Sequence, residues 1–157
     1  MSQRVLVTGG SGFVGRQVLA ALQGEDMTIR AVLRRGSAVP EGVTEVVETD
    51  DLFNEGAGWW AEACADVDTL IHVAWYVVPG KYQHAPQNLV CLRGTLQLAE
   101  GAVAAGIRRF VGVGTCFEYD LAGGVLGLET PLRPSTPYAA AKAAAFLALS
   151  QMLPQAG

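Results

Sequence analysis

The chain has 157 residues, of which 50% are hydrophobic and 17% are charged, and its net charge at pH 7 is −4. These values predict one globular domain with its own core, and they exclude a disordered chain, a membrane-spanning segment and the basic surface needed to bind nucleic acid or an anionic membrane. Cys64, Cys91 and Cys116 are scattered and lack metal-ligand spacing, which predicts reduced thiols in a cytoplasmic protein without a metal site.

The chain alternates between short strands and helices. Short runs rich in aliphatic or β-branched side chains predict five strands. They cover residues 4–8, 28–33, 44–48, 69–74 and 109–113. The helices are predicted at residues 13–23, 55–65, 86–105 and 138–153. This alternation is typical of an α/β fold, a Rossmann-type doubly wound parallel sheet that binds ligands at the carboxyl ends of its strands.

The longest helix, at residues 86–105, is predicted to bury one stripe of side chains. Pro86 suits its first turn, and Gly106 suits its C-terminal cap. Apolar side chains recur along the helix at three- and four-residue spacing and are expected to face the core. They are Leu89, Leu92, Leu96, Ala99 and Val103.

A glycine-rich turn links the first strand to the first helix. Residues 8–15 read Thr-Gly-Gly-Ser-Gly-Phe-Val-Gly, with G-x-x-G-x-x-G spacing. Such a turn presents backbone N–H groups and the positive end of a helix to a phosphate. Gly9 allows the tight turn, Gly12 lets the backbone approach a pyrophosphate, and Gly15 lets the helix pack closely. With Phe13 and Val14 they are candidate cofactor-binding residues, and the alternative is a turn without a ligand.

A second motif, Tyr138-x-x-x-Lys142, places a phenol and an ammonium group on one face of a helix. A phenol ordinarily ionises at about pH 10, and the nearby Lys142 is expected to lower the pKa of Tyr138 so that it works as a general acid or base. Such pairs are common on surface helices. However, Thr115 follows the fifth strand and is expected at the same sheet edge, which predicts a hydride-transfer site. Lys142 is also expected to bind a cofactor ribose.

On these residues the chain resembles the short-chain dehydrogenase/reductase superfamily. It is most similar to the extended branch of NAD(P)-dependent nucleotide-sugar epimerases, dehydratases and reductases. The resemblance implies that Thr115, Tyr138 and Lys142 are the catalytic residues. The segments that carry it are residues 8–15, Asp51-Leu52, residues 71–74, Gly94-Thr95, Gly114-Thr115 and Tyr138-x-x-x-Lys142.

The resemblance also implies further contacts with the cofactor. Asp51 and Leu52 would contact adenine, and Ala74 would line the nicotinamide side. The family's NAD-binding members carry an acidic residue at the end of the second strand, where this chain has Arg34 and Arg35. Guanidinium groups suit a 2′-phosphate, so NADP is the expected cofactor, with NAD as the alternative.

Other departures from the family pattern narrow the expected reaction. The family's 4,6-dehydratases eliminate water with an Asp-Glu pair, where this chain has Cys116 and Phe117. Glu118 is expected to be an ordinary loop carboxylate. In the long helix Cys91 replaces a frequent asparagine, and Asn88, one turn earlier, either takes a related role or lies on the helix surface.

The expected function is therefore NADP(H)-dependent reduction of a 4-keto nucleotide sugar with Tyr138 as proton donor. The alternatives are an epimerase that recycles NAD and a non-catalytic dinucleotide-binding module. Helices 86–105 and 138–153 are expected to form a homodimer, although the alanines at 139–148 also suit a helix without a partner.

Relatives in this family continue well beyond the position of Gly157. Residues 1–157 are thus expected to form one incomplete NAD(P)-binding Rossmann domain, without the last strands and the substrate domain. An unpaired strand edge would then be exposed, so weak turnover and self-association are expected.

Overall fold

The computed structural model describes residues 3–155, which fold into five strands and four α-helices. The strands are β1 (Gln3–Thr8), β2 (Met27–Arg34), β3 (Glu45–Thr49), β4 (Thr69–His72) and β5 (Arg109–Gly112). The helices are α1 (Phe13–Leu22), α2 (Ala57–Ala63), α3 (Gln87–Ala104) and α4 (Pro137–Met152). Short 3₁₀ turns lie at Tyr82–His84, Cys116–Glu118 and Leu153–Gln155.

All five strands are parallel and form one sheet in the order β3-β2-β1-β4-β5. The predicted α/β fold with a Rossmann-type sheet is confirmed, and each strand and helix ends within two residues of the predicted position. The chain leaves β1 towards β2 on one side and later returns to β4 on the other. A crevice therefore opens beyond the carboxyl ends of β1 and β4.

Helices on both faces of the sheet bury residues 5–8 of β1. Because successive side chains of a strand point to opposite faces, Leu6 enters one core, under α2 and α3, while Val5 and Val7 enter another, under α1. The first core contains Leu6, Val32, Trp60, Leu70 and Leu98, and the second contains Val5, Val7, Leu19 and Ile29.

The predicted buried stripe of α3 is correct only in part, because Ala99 is buried and Leu92 and Leu96 are half-buried, while its two ends are exposed. Leu89 is 70% exposed and Val103 is 37% exposed. Close packing of α3 on its neighbours decides the buried face instead. A Cβ atom at Gly94 would lie 2.6 Å from Phe53 Cα, and one at Gly101 would lie 2.4 Å from Trp60 Cβ. The face that small residues allow to approach is therefore the one that is buried. It carries Asn88, Cys91, Gly94, Thr95, Leu98, Gly101 and Ala102.

At the other side of the sheet, β5 is an edge strand, since among the described residues only β4 pairs with it. Val111 of β5 is 40% exposed, and Phe146 and Leu147 of α4 are about half exposed. The expected open strand edge and uncovered apolar side chains are therefore present in the part of the chain that the structure describes. None of the helices in residues 3–155 combines the length and the apolar character that a bilayer crossing requires.

Candidate active site

A cleft of about 630 Å³ opens at the carboxyl edge of β1, β2 and β4. The glycine turn, the end of β2, the loops after β3 and β4 and the start of α4 form its walls. It brings together most of the predicted site residues, while Thr115 and Arg35 do not line it. The predicted residues in the cleft are Gly9, Gly12, Phe13, Val14, Gly15, Arg34, Asp51, Leu52, Ala74, Tyr138 and Lys142.

A second cavity, of about 640 Å³, lies between β5 and α4. Thr115 and Glu118 line it together with His72 and Phe146. The two cavities share Trp75, Val113, Gly114 and Lys142 as wall residues. Lys142 thus lies in the wall between the two cavities, one of which contains the glycine turn and the other Thr115.

The glycine turn is held close to β4 and to α1. Gly9 has a φ of +72°, and a Cβ atom there would lie 2.7 Å from the backbone nitrogen of Ala74. A Cβ atom at Gly15 would lie 2.0 Å from the carbonyl oxygen of Gly9. Larger residues at either position would push the turn away. Gly12 caps α1 without a side chain, so the first N–H groups of the helix remain available to an anion in the cleft.

The two arginines after β2 have different surroundings. Arg34 lines the cleft, and no carboxylate within residues 3–155 lies within ion-pair distance of its guanidinium group. The side chain of Arg35 is 63% exposed; its Nε lies 3.1 Å from Asp50 Oδ1, and its Nη1 lies 3.7 Å from Glu48 Oε2. The structure therefore places Arg34, but not Arg35, in the wall of the cleft.

The loop after β3 forms the wall opposite the glycine turn. The carboxylate of Asp51 accepts hydrogen bonds from the backbone N–H of Phe53, at 3.1 Å, and from Asn54 Nδ2, at 2.9 Å. These bonds close a tight turn, and Leu52 at its centre lines the cleft.

A buried polar chain ties β1, β4 and α3 together. His72 Nδ1 lies 2.7 Å from Thr8 Oγ1, and His72 Nε2 lies 2.9 Å from Thr95 Oγ1. Thr8 Oγ1 also accepts a hydrogen bond of 3.3 Å from the N–H of Ala74. Burial, with a smaller contribution from the positive charge of Lys142, lowers the pKa of His72 from 6.5 to about 3. The neutral imidazole thus fixes Ala74 and the end of the glycine turn relative to each other.

Thr115 begins the 3₁₀ turn Cys116–Glu118 at the end of the sheet. Its Oγ1 accepts a hydrogen bond of 3.4 Å from the N–H of Phe117, and its own N–H donates to Glu118 Oε1 at 2.7 Å. The expectation that Glu118 is an ordinary loop carboxylate is wrong, because it is 2% exposed. The Thr-x-x-Glu spacing of a capping box was the sequence signal for this arrangement.

Tyr138 lies in the first turn of α4. Thr136 caps the helix by accepting a hydrogen bond of 3.2 Å from Ala139 N–H, and Pro137 occupies the first helical position. Burial raises the pKa of Tyr138 above its ordinary value of 10.0, and a hydrogen bond with Thr115 offsets part of the increase. The expected lowering of the pKa of Tyr138 by Lys142 is therefore wrong for the protein without a ligand. The phenol stays protonated near neutral pH.

Lys142 lies one helical turn further along α4. Its Nζ donates a hydrogen bond of 2.7 Å to the carbonyl oxygen of Val113 and lies 4.1 Å from the centroid of the Trp75 ring. Burial lowers the pKa of Lys142 from 10.5 to about 8. The ammonium group thus remains mostly charged at pH 7, held by a carbonyl and by the aromatic face.

Asn88 holds Trp75 in this position. Its Oδ1 accepts a hydrogen bond of 2.9 Å from Trp75 Nε1. Its Nδ2 donates to the carbonyl oxygens of Tyr82, at 2.6 Å, and Ala85, at 2.9 Å. Asn88 is 1% exposed, so the alternative that it lies on the helix surface is wrong. Its amide anchors the loop that covers Lys142.

Comparison with curated proteins reveals relatives that act on nucleotide sugars. The dTDP-6-deoxy-L-talose 4-dehydrogenase (NAD(+)) of Aggregatibacter actinomycetemcomitans is 25% identical over 140 residues, which cover 88% of this chain and 51% of that protein. The UDP-glucose 4-epimerase of Streptomyces lividans is 30% identical over 155 residues, which cover 92% of this chain and 46% of that protein. The chain spans about half the length of these relatives.

A solved structure and a protein family agree with these matches. The structure of MoeE5 in complex with UDP-glucose and NAD superposes with a TM-score of 0.76 and 30% sequence identity, over 94% of this chain and 48% of that one. Residues 5–156 match the NAD dependent epimerase/dehydratase family. With its parallel sheet, its glycine turn and its cleft, the chain belongs to the NAD dependent epimerase/dehydratase family, within the short-chain dehydrogenase/reductase superfamily.

Proposed function

We propose that this chain carries the cofactor cleft and the proton donor of an NADP(H)-dependent oxidoreductase that reduces a 4-keto nucleotide sugar. The observation that carries the proposal is the position of Tyr138, Lys142 and Thr115 around the boundary of two cavities, one of which begins at the glycine turn. A carbonyl compound and a dinucleotide could meet at this boundary. The relatives named above act on or bind nucleotide sugars, which supports that substrate class.

The cleft fits a dinucleotide. A side chain at Gly9 or Gly15 would fill the space that the turn needs, and the start of α1 offers N–H groups for a pyrophosphate. Leu52 and Asp51 would hold the adenine, and Lys142 would exchange the carbonyl of Val113 for a ribose hydroxyl. When bound, the reduced nicotinamide supplies a hydride for the carbonyl carbon.

Tyr138 would supply the proton. Because its pKa is raised, Oη holds its proton at neutral pH and can donate it to the carbonyl oxygen as the hydride arrives. Thr115 Oγ1 accepts the N–H of Phe117, and the Thr115 hydroxyl is hydrogen-bonded with Tyr138 in the protein without a ligand. With substrate bound, this hydroxyl would donate to the same carbonyl oxygen. The positive charge of Lys142 would stabilise the phenolate that remains on Tyr138.

An epimerase that recycles NAD is the second candidate, and the 30% identity to UDP-glucose 4-epimerase favours it. Both candidates need the same three residues, so the preferred cofactor distinguishes them. The case for NADP rests on Arg34, which lines the cleft at the end of β2 and has no carboxylate partner among residues 3–155. Arg35 supports it less, since Asp50 and Glu48 already balance its charge.

NADPH is expected to raise the melting temperature of the chain more than NADH does, because ligand binding to the folded state stabilises it by mass action. In Arg34→Ala the NADPH affinity should fall by about tenfold to a hundredfold, since a hydrogen-bonded charge pair contributes about 1.5–3 kcal/mol. Thermal shift titrations with both cofactors measure this. Arg35→Ala is the matched control and should retain the preference. Equal shifts in the wild type, or a larger NADH shift, would contradict the choice of NADP.

We also propose that α3 and α4 form a homodimer contact. Both helices leave apolar side chains uncovered: Leu89 is 70% exposed and Leu147 is 53% exposed. Sedimentation velocity is expected to show a dimer for the wild type and a monomer for Leu147→Glu, because the charge would be buried unpaired. Arg93→Glu, an exposed change elsewhere on α3, should leave a dimer. A monomeric wild type at high protein concentration would refute the contact.

A further inference from the structure

Glu118 is a buried carboxylate that sits against the end of β5. It is 2% exposed, and its Oε1 accepts the N–H of Thr115 at 2.7 Å. A Cβ atom at Gly114 would lie only 3.1 Å from the same oxygen. The carboxylate therefore packs directly on the backbone that carries Thr115. Its backbone oxygen also accepts the N–H of Arg133, at 2.9 Å, which ties the turn to the segment before α4.

Glu118 also lines the cavity between β5 and α4 that Lys142 lines from the other side. Burial lowers the pKa of Lys142 to about 8, and the negative charge of Glu118 opposes that lowering. Burial raises the pKa of Tyr138, and Glu118 adds a minor contribution in the same direction. A charge buried in this way is weakly screened by solvent, so it acts over a longer distance than a surface charge.

Two other titratable groups near this pair, Cys91 and His72, are uncharged at pH 7. Burial raises the pKa of Cys91 to about 11 and, with Lys142, lowers the pKa of His72 to about 3, so both are neutral at pH 7. Among the residues that the structure describes, Glu118 is therefore the only carboxylate with an influence on both Tyr138 and Lys142. The groups that face the pair are His72 on β4, Tyr82 before α3, Cys91 on α3, and Cys116 and Glu118 after β5.

We propose that Glu118 is a positioning residue: it fixes the backbone of Thr115 and holds a negative charge in the cavity that Lys142 also lines. The reaction it serves rests on the proposed function, whereas its electrostatic role does not. The charge favours the protonated form of both neighbours. Keeping Lys142 charged serves the reaction, because the ammonium group stabilises the phenolate that Tyr138 becomes when it donates its proton.

Glu118→Gln separates this role from simple capping. Glutamine retains a side-chain oxygen that can accept the N–H of Thr115, but it carries no charge. If the role of Glu118 were purely structural, the pKa of Lys142 would be the same in this variant as in the wild type. If Glu118 acts through its charge, the pKa of Lys142 falls in this variant, because the lowering by burial is no longer opposed.

The chain contains two lysines, Lys81 and Lys142, so the titration can be followed directly by NMR of lysine labelled with carbon-13 at Cε. The measurement uses the full chain without cofactor, and exposed Lys81 serves as the internal reference. Wild-type Lys142 is expected to titrate at about 8, and Glu118→Gln is expected to lower its midpoint by about one pH unit. Glu129→Gln makes the same chemical change at an exposed loop position and should leave Lys142 unaltered.

An unchanged or higher midpoint for Lys142 in Glu118→Gln would overturn the proposal. If that variant does not fold, Glu118→Met takes its place, since an apolar side chain of similar length is often well tolerated where a buried charge is removed. The same downward shift is expected. Thermal shifts with NADPH test the proposed function separately. If the midpoint of Lys142 does not change in Glu118→Gln but NADPH still stabilises the protein, only the role of Glu118 is refuted. If the midpoint falls but NADPH does not stabilise the protein, only the cofactor assignment is refuted.

Discussion

Tyr138→Phe is expected to lower the rate of NADPH-dependent reduction of a nucleotide-linked 4-keto sugar by about 10²–10⁴-fold. The phenol is buried beside Thr115 and is protonated near neutral pH, so it holds the proton that the carbonyl oxygen needs. Phenylalanine keeps the ring, which packs at 4.8 Å from the Tyr82 ring, and removes only the hydroxyl group. Initial rates of NADPH oxidation measure the loss, and the NADPH thermal shift should stay at the wild-type value.

Tyr76→Phe is the matched control for this experiment. It removes the same hydroxyl group from a residue that lines neither cavity, so its rate should equal that of the wild type. Turnover by Tyr138→Phe at the wild-type rate would show that another group supplies the proton. A protein that binds NADPH but keeps its biological effect after Tyr138→Phe would instead favour the non-catalytic binding module.

The free energy of unfolding is expected to fall by about 1.4 kcal/mol per pH unit as the pH drops below about 6.5. The cause is His72, whose pKa is lowered by burial, and to a lesser degree by Lys142, from 6.5 in an exposed state to about 3 in the fold. Because the folded state excludes the proton that the unfolded chain accepts, stability is complete above pH 6.5. It is lost progressively between pH 6.5 and about 3. Urea denaturation at about pH 7.5, 6 and 5 gives the free energy of unfolding at each pH, and hence the slope.

His72→Gln should remove this slope, because its amide does not titrate, whereas exposed His84→Gln should retain it. These are the two histidines of the chain. Other shifted groups act mainly outside the measured range: the pKa of Lys142 is lowered from 10.5 to about 8, and the pKa values of Asp68 and Asp120 are lowered from 3.8. A slope between pH 6.5 and 5 that is the same in His72→Gln and the wild type would rule out His72 as its source.

The strand–helix alternation and the glycine turn could be predicted from the sequence because both depend on neighbouring residues. Aliphatic runs bounded by turns define each strand, and the turn between β1 and α1 brings its glycines together without help from distant parts of the chain. The sheet order then follows from parallel pairing, and it carries Thr115 and Tyr138 to the same edge. The catalytic and cofactor roles of these residues remain predictions.

The packing of distant segments decided what the sequence pattern alone did not. Arg35 does not line the cleft, and its guanidinium group pairs with Asp50 and Glu48 from the neighbouring strand end. The burial of Glu118 similarly depends on the backbone around Gly114, and the raised pKa of Tyr138 depends on the residues that cover it.

The sequence by itself thus determined the fold, the family and the order of the site motifs, because these follow from local periodicity and from motif spacing. Only the tertiary structure decided which face of α3 is buried, which arginine lines the cleft, and which charge faces Lys142. Burial and long-range electrostatics depend on residues far apart in the chain, and a carboxylate such as Glu118 becomes a strong influence only once other segments exclude water from it.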